Sequence, residues 1–317
     1  MGTPEFAVPG LRELIRHHEV VAVCTQPDRP AGRGHKLTPS PVKVVAEEHG
    51  IDVLQPVSLR IRKGESNDEV KKYRARLKDY GADIFVVAAY GLILPKAVLE
   101  IAPLGSVNIH ASLLPKYRGA SPIHVALLNG DAETGVTIMH MDVGIDTGDM
   151  ILKKTLEIFP DERFLSLHDR VAALGGECIV EALALLENGT ADRVAQDDGA
   201  SCYAPMIKKS DGHIDWSMYT AQIINRLRAF DSWPGVFFVY KGAVMKVWGI
   251  DAAEGVAGAL PGTILSADAV GGLVIATGDG AARITEIQPS GKKRMLTRDY
   301  LRGARMEVGV RVEYMTT

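Results

Sequence analysis

Very little in this 317-residue chain invites a disulfide, a membrane or a metal. Its three cysteines, Cys24, Cys178 and Cys202, are odd in number and widely spaced. That fits neither a disulfide framework nor a zinc site, so we expect three small apolar residues in a cytoplasmic protein. No apolar run approaches the ~20 residues a membrane helix needs, and the longest, residues 84–95, is about half that. The start of the chain lacks a basic segment followed by an apolar core, so no secretory signal is expected. Nucleotide and metal templates are missing as well. No G-x-G-x-x-G follows a first strand, and neither G-x-x-x-x-G-K-[ST] nor H-E-x-x-H occurs. The nine histidines do not cluster at metal-ligand spacing. His17, His18 and His35 read as surface residues, and His124 and His168 as helix-face residues. Group transfer without a metal is the simplest chemistry left.

An excess of either charge is lacking too, with 36 Lys and Arg against 39 Asp and Glu. The net charge is -3, weak ground for a nucleic-acid partner, but its distribution matters more than its sum. From Lys208 onward 14 Lys and Arg face 11 Asp and Glu, while the remainder holds 22 against 28. Two basic clusters stand out: Arg29, Arg33, Lys36 and Lys43 in one loop, and Lys292, Lys293, Arg294, Arg298, Arg302 and Arg305 near the end. A solvated face is the ordinary explanation for such runs.

What is present is a well-packed composition, 46% hydrophobic and 24% charged. The length allows two domains at roughly 150 residues each. Strand signals at residues 20–25, 83–88, 106–110 and 135–141 alternate with helix signals at 41–49, 67–79, 121–128 and 163–187. Asn67 is a candidate cap for the second of these helices. The alternation predicts an α/β fold, a doubly wound, mostly parallel sheet with helices on both faces, over residues 1–204. The chain opens on a turn, Met1-Gly2-Thr3-Pro4, with no apolar strand before it, so a compromised sheet centre is expected. Residues 205–213 are polar and turn-rich and read as a linker. Over 214–317 Ser217 is expected to cap a helix to about Ala229. Short apolar runs punctuated by glycine then predict a small antiparallel barrel of the oligonucleotide-binding (OB) kind.

The chemistry gathers between residues 108 and 149. On a strand, residues two apart share a face, so Asn108-Ile109-His110 presents an amide beside an imidazole while Ile109 points into the core. The pair sits near the carboxyl end of its strand, where open α/β sheets bind ligands. An amide can polarise a carbonyl oxygen while the imidazole handles a proton; a hydrogen-bonded structural pair is the competing reading. The run Met-Asp-Val-Gly-Ile-Asp-Thr-Gly-Asp at 141–149 adds three aspartates in a glycine-shaped loop. One carboxylate meeting His110 would fix its tautomer. Spacing does not choose among Asp142, Asp146 and Asp149.

Through these residues the chain resembles the methionyl-tRNA formyltransferases, a family that uses 10-formyltetrahydrofolate. The similarity runs along essentially the whole chain. It is strongest at residues 1–9, 26–43, 88–95, 108–122, 135–149 and Ile214-Asp215-Trp216. The Asn-x-His and Ser-Leu-Leu-Pro run with the aspartate loop marks the wider formyltransferase group. The 26–43 loop and the second domain narrow it to the tRNA enzymes.

The resemblance implies a Rossmann-like formyltransferase core and formyl transfer to initiator methionyl-tRNA for translation initiation. Asn108 would hold the formyl oxygen, His110 would assist proton movement, and Asp146 would orient His110 with a water relaying protons. Ser112, Leu113, Leu114 and Pro115 match the folate-contacting segment. Tyr90, Ile93, Leu94 and Val143 would complete a pterin pocket. Arg29, Arg33, Lys36 and Lys43 would meet the acceptor end of the tRNA from a loop whose prolines and glycines resist regular structure. Lys208, Lys209 and the late basic cluster would contact its backbone. The expected molecule is a monomer without metal or membrane partner. Rival readings are formylation of a sugar or purine-precursor amine, and an RNA-binding protein with an inactive core.

Overall fold

Short β-branched runs in the first half of the chain become short strands, and the amphipathic runs between them become helices. In chain order these are α1 (Ala7–His17), β1 (Val23–Cys24), β2 (Arg29–Ala31), β3 (Lys36–Thr38), α2 (Pro41–Glu48), β4 (Val53–Leu54), α3 (Asp68–Asp79), β5 (Phe85–Val87), α4 (Lys96–Leu99), β6 (Ser106–His110), β7 (Arg118–Gly119), α5 (Pro122–Asn129), β8 (Glu133–His140), β9 (Met150–Glu157), α6 (Phe164–Glu187) and β10 (Tyr203–Ala204). The computed structural model describes residues 1–31, 36–64 and 66–312. Its contacts divide the chain into two units. The first comprises Met1–Pro122, Glu133–Glu157 and His168–Ala204; the second comprises Ile123–Ala132, Ile158–Leu167 and Pro205–Thr317.

In the first unit β1 pairs with β4 in parallel, and a four-stranded sheet runs in the order β5-β6-β8-β9. Only β5–β6 of that second sheet is parallel; β6–β8 and β8–β9 are antiparallel. The mostly parallel expectation is therefore corrected to a mixed sheet. Strand β9 escaped the sequence reading because Lys153, Lys154 and Glu157 give it a polar, loop-like look. Its inward Ile151 is nonetheless buried. Met1 and Gly2 span the gap between the two sheets. The Gly2 N–H donates to Cys24 O (2.9 Å), the Ala88 N–H donates to Met1 O (2.9 Å), and Gly2 bridges Ala88 in parallel register. The centre is thus carried by two residues, and a cavity of about 30 Å³, lined by Met1, Val23, Val86, Ala88 and Ile109 among others, lies beside them.

Ile109 shows how the sheet is covered. Its side chain meets both α1 and α6 where a residue with a Cβ would not fit: a Cβ on Gly10 or on Gly175 would fall 2.9 Å from Ile109 side-chain carbons. Glycine at these two points lets both helices approach the face of β6 opposite Asn108 and His110. Helix α2 starts as its sequence predicts, with Ser40 accepting from the Lys43 N–H (3.1 Å) and Pro41 in the first turn. Asn67 holds the cap position of α3, but its amide instead binds the Arg62 backbone at both N–H and C=O.

The second unit adds α7 (Thr220–Ala229), β11 (Val236–Tyr240), β12 (Ala243–Ala253), β13 (Ile264–Asp268), β14 (Gly272–Ala276), β15 (Ala281–Pro289), β16 (Met295–Leu296) and α8 (Thr297–Gly303). Its strands form one antiparallel sheet in the order β11-β12-β15-β14-β13, with β16 on β15. Among the described residues no ladder joins β13 back to β11, so the expected closed barrel is corrected to an open sheet. Trp216, Phe230, Phe238, Ile264 and Ile287 are buried in it. Helix α7 begins later than expected. Ser217 bonds Asp215 instead, and the Thr220 N–H is caught by Asp279 Oδ1 (2.7 Å). Among the described residues no helix is long and apolar enough to cross a membrane.

Candidate active site

Strand β6 is buried along its whole length, and its alternation sets Asn108 and His110 on one face. The Asn108 amide makes no hydrogen bond to the described residues, which leaves its N–H groups available to a ligand. His110 is held at one ring nitrogen and faces the acid with the other. Nε2 lies 2.9 Å from the carbonyl of Tyr117. A carbonyl only accepts, so Nε2 carries the hydrogen and the neutral ring keeps its lone pair at Nδ1. Nδ1 faces Asp146 Oδ2 at 3.6 Å, within ion-pair range though longer than a hydrogen bond.

The choice among three aspartates, open in the sequence, has a geometric answer. Asp142 is engaged in its own turn, accepting from the Gly144 N–H (2.9 Å) and the Thr147 hydroxyl (2.7 Å). At Asp149 it is the main-chain carbonyl that engages, accepting from the His140 N–H (2.8 Å). Asp146 sits at φ 54° with its carboxylate turned inward, where Oδ2 also accepts from the Gly119 N–H at 2.8 Å. Gly119 has φ 113°, and a Cβ there would fall 2.7 Å from Ala204 O, so only glycine brings this N–H to the carboxylate. Pairing of β7 with β10 holds that stretch in place.

The segment after His110 is pinned from two neighbouring strands. Thr137, directly across from His110 on β8, donates to Ser112 O (2.7 Å) and accepts from the Leu114 N–H (3.1 Å). Lys153, opposite Thr137 on β9, donates to Leu114 O (3.0 Å). The Ser112 hydroxyl closes onto Lys116 O (2.6 Å). Ser112 and Leu114 are buried, while Leu113 and Pro115 are half-buried.

The four pterin-pocket candidates divide. Ile93 is 69% exposed and Val143 is 76% exposed. Tyr90 and Leu94 instead lie in an apolar cluster with Leu54, Leu59 and Leu77. The Tyr90 hydroxyl has no partner there, and burial pushes its pKa upward. Its main-chain oxygen accepts from the Thr3 hydroxyl and the Gln26 amide.

The basic loop also departs from expectation. Strands β2 and β3 pair as an antiparallel hairpin base, so residues 29–31 and 36–38 are regular after all. Two proline-compatible, extended stretches suffice for a three-rung ladder. Arg29 is exposed and binds the Gln26 side chain. Arg33 lies outside the described residues, and Lys36 contributes its backbone to β3. Lys43 is turned inward with its side chain 18% exposed. Its ammonium meets Asp28 (2.8 Å) and Gln55 (3.1 Å), and hydrogen bonds from Lys43 and Gln55 hold the Asp28 carboxyl below its usual range. In the second unit Lys208 and Lys209 are exposed at the start of a single turn. Of the late basic residues, Arg294 pairs with Glu286 and covers the Trp248 ring at 5.0 Å, Arg302 pairs with Asp299, and Lys292 lies over Tyr300.

Sequence reasoning missed Tyr117, Gly119, Thr137 and Lys153. Only Gly119 left a signal, in Arg-Gly-Ala after the Leu-Leu-Pro turn. Tyr117 acts through its main-chain carbonyl, and Thr137 and Lys153 reach the main chain of residues 112–114 from strands paired over long range.

With this geometry established, comparisons assign the family. Residues 3–183 match the formyl transferase family and residues 206–305 match the formyl transferase C-terminal domain. A methionyl-tRNA formyltransferase of Geobacter metallireducens is 49% identical over 315 residues, covering 98% of this chain and 97% of its own. That of Geobacter sulfurreducens is 49% identical over 313 residues, covering 98% and 95%. In fold the chain is similar to WlaRD, a sugar 3N-formyl transferase solved with dTDP and 5-N-formyl-THF (TM-score 0.62, 20% identity, 92% of this chain and 97% of that one). It is also similar to HypX of Aquifex aeolicus solved with tetrahydrofolic acid (TM-score 0.55, 21% identity, 84% and 47%). By both family matches and by its near-full-length similarity to these relatives, the chain belongs to the formyl transferase family.

Proposed function

We propose that this chain transfers the formyl group of 10-formyltetrahydrofolate to the α-amino group of initiator methionyl-tRNA, acting as a monomer in the cytoplasm. The observation that carries the reading is the Asn108–His110 face of β6 with Asp146 Oδ2 3.6 Å from His110 Nδ1, in a chain half identical to methionyl-tRNA formyltransferases along nearly its whole length.

The roles follow from the chemistry of each group. A model α-amino group has a pKa near 8, so a useful fraction is the neutral nucleophile at neutral pH. Attack on the formyl carbon places negative charge on its oxygen, which the Asn108 N–H groups stabilise; one such donor is worth about 3 kcal/mol elsewhere. The amine nitrogen sheds a proton as its bond to carbon forms. His110 takes it at Nδ1, because Nε2–H is committed to Tyr117 O, and Asp146 stabilises the imidazolium. When the bond from carbon to folate N10 breaks, the proton held by His110 passes to that nitrogen, His110 returns to its neutral form, and no covalent enzyme intermediate forms. Ser112–Pro115 and the exposed Ile93 and Val143 supply main-chain and apolar contacts for the folate, with Tyr90 and Leu94 packing behind them. Arg29, Arg33, Lys36, Lys208 and Lys209 contact tRNA phosphates, whereas Lys43 braces the hairpin base. Phosphate contacts position the RNA and weaken with salt.

The test is His110→Ala. Formylation of initiator methionyl-tRNA should fall to background while tRNA affinity stays within about twofold, since uniform binding contacts are untouched. Retained turnover would remove His110 from the mechanism. Activity on a sugar amine but not on methionyl-tRNA would replace the substrate.

A further inference from the structure

The loop that carries Asp146 is tied mainly to itself. Asp142 gathers Gly144 and Thr147, which shapes residues 142–147 without locating them against His110. Asp146 itself is held in the left-handed region, a backbone conformation that residues with a Cβ rarely adopt and that bonds from its surroundings hold in place. Apart from the Gly119 N–H, the side chain that enforces it is Gln196. Its Nε2 donates to Asp146 O (2.9 Å) and to Gly148 O (2.8 Å), using both of its hydrogens. Its Oε1 accepts from Arg118 Nε (3.0 Å), and Arg118 is fixed in turn by Asp198 (2.8 Å). Because a guanidinium only donates, the amide has one consistent orientation, with both N–H groups toward the aspartate loop. The backbone two residues earlier is clamped as well, since Val194 and Met150 exchange both main-chain hydrogen bonds (2.9 and 3.0 Å).

Arg118 lies between Tyr117, whose carbonyl holds His110 Nε2, and Gly119, whose N–H holds Asp146 Oδ2. One amide therefore joins the strip that fixes the histidine to the loop that carries the acid. We propose that Gln196 is a positioning residue for formyl transfer: it sets Asp146 against His110 and touches neither substrate. This rests on the catalytic roles of His110 and Asp146 argued above.

Gln196→Met keeps the side chain's length while removing both donors and the acceptor. The experiment measures single-turnover formylation and both KM values for this variant, in the wild-type and Asp146→Asn backgrounds. In the wild-type background the rate should fall about 10- to 100-fold, the usual effect of a misplacement on the order of 1 Å, with both KM values within about twofold. In the Asp146→Asn background the further loss should be under about threefold, because the two changes act through one contact. An equal loss in both backgrounds, or no loss in either, overturns the proposal. Full activity of Asp146→Asn alone would instead overturn the role of Asp146.

Should Gln196→Met fail to fold, Gln196→Glu retains the acceptor for Arg118 and turns a carboxylate oxygen on the two carbonyls. Its rate relative to wild type should then rise as pH falls from about 8 to about 5.5, as protonation restores one donor. A ratio independent of pH refutes the assignment equally.

Discussion

Thr137→Val replaces one hydroxyl by a methyl group of nearly the same size, and the structure says why so small a change should matter. Thr137 is fully buried on β8, and its Oγ1 both donates to Ser112 O (2.7 Å) and accepts from the buried Leu114 N–H (3.1 Å). Valine leaves that N–H without a partner, a penalty of about 1–3 kcal/mol, and removes a hydrogen bond worth about 1 kcal/mol more. Against this stand the better strand propensity of valine and its extra apolar surface, together about 1 kcal/mol. The net expectation is a loss of about 2 kcal/mol, a fall in Tm of roughly 4–8 °C for a unit of this size. Thr137→Ser is the opposing case. It keeps both hydrogen bonds and loses one methyl group, for about 1 kcal/mol. The expected order is therefore wild type, then serine, then valine, measured by thermal melting with the KM for 10-formyltetrahydrofolate in parallel. The KM should rise more for valine, because residues 112–115 lose their strand anchor. If valine proves the more stable of the two, apolar burial outweighs the hydrogen bonds and the anchoring role of Thr137 is wrong.

Lys43 and Arg29 separate two kinds of basic residue. Arg29→Ala should lower the slope of log tRNA affinity against log salt by about 1, as loss of a phosphate contact does. Lys43→Met should weaken binding through the hairpin base with that slope unchanged, and a slope lowered as for Arg29 would make Lys43 a direct contact. The pH dependence of stability offers a third test at His140. Burial, with Arg193 adding to it, holds its pKa below the ordinary 6.5. The unfolded state then binds the proton first, so this contribution is complete above pH 6.5 and is lost as pH falls below it. Melting curves between about pH 7 and about pH 5 should show that slope, and His140→Gln should flatten it; an unchanged slope would assign it to other groups.

The residues that alternate along one element were readable in advance; the partners they meet were not. Asn108, Ile109 and His110 could be assigned to opposite faces from the period of a strand, and the structure keeps them there. The acid could not be chosen by the same logic, because three aspartates within eight residues are equally good turn formers. Asp142 is drawn into the turn, and Asp146 is left for His110 by the N–H of Gly119, 27 residues earlier in the chain. The start of α7 failed for the same reason, its first N–H being taken by Asp279, 59 residues away, while Ser217 found a nearer partner. Open or closed pairing of β11 to β13 is likewise a relation between distant strands, and each strand's own alternation is the same in either case.

The aspartate loop follows from this distinction. Local chemistry can build a tight turn but cannot aim it, since a turn closed on itself remains free to move as a body. Aiming requires bonds from outside, here the Gly119 N–H and the two N–H groups of Gln196. A side chain with two donors and one acceptor is suited to that task, because a hydroxyl has too few donors and a carboxylate has none. Loosening those outer bonds should therefore impair catalysis before it impairs folding, the order in which the rate and Tm of Gln196→Met should change.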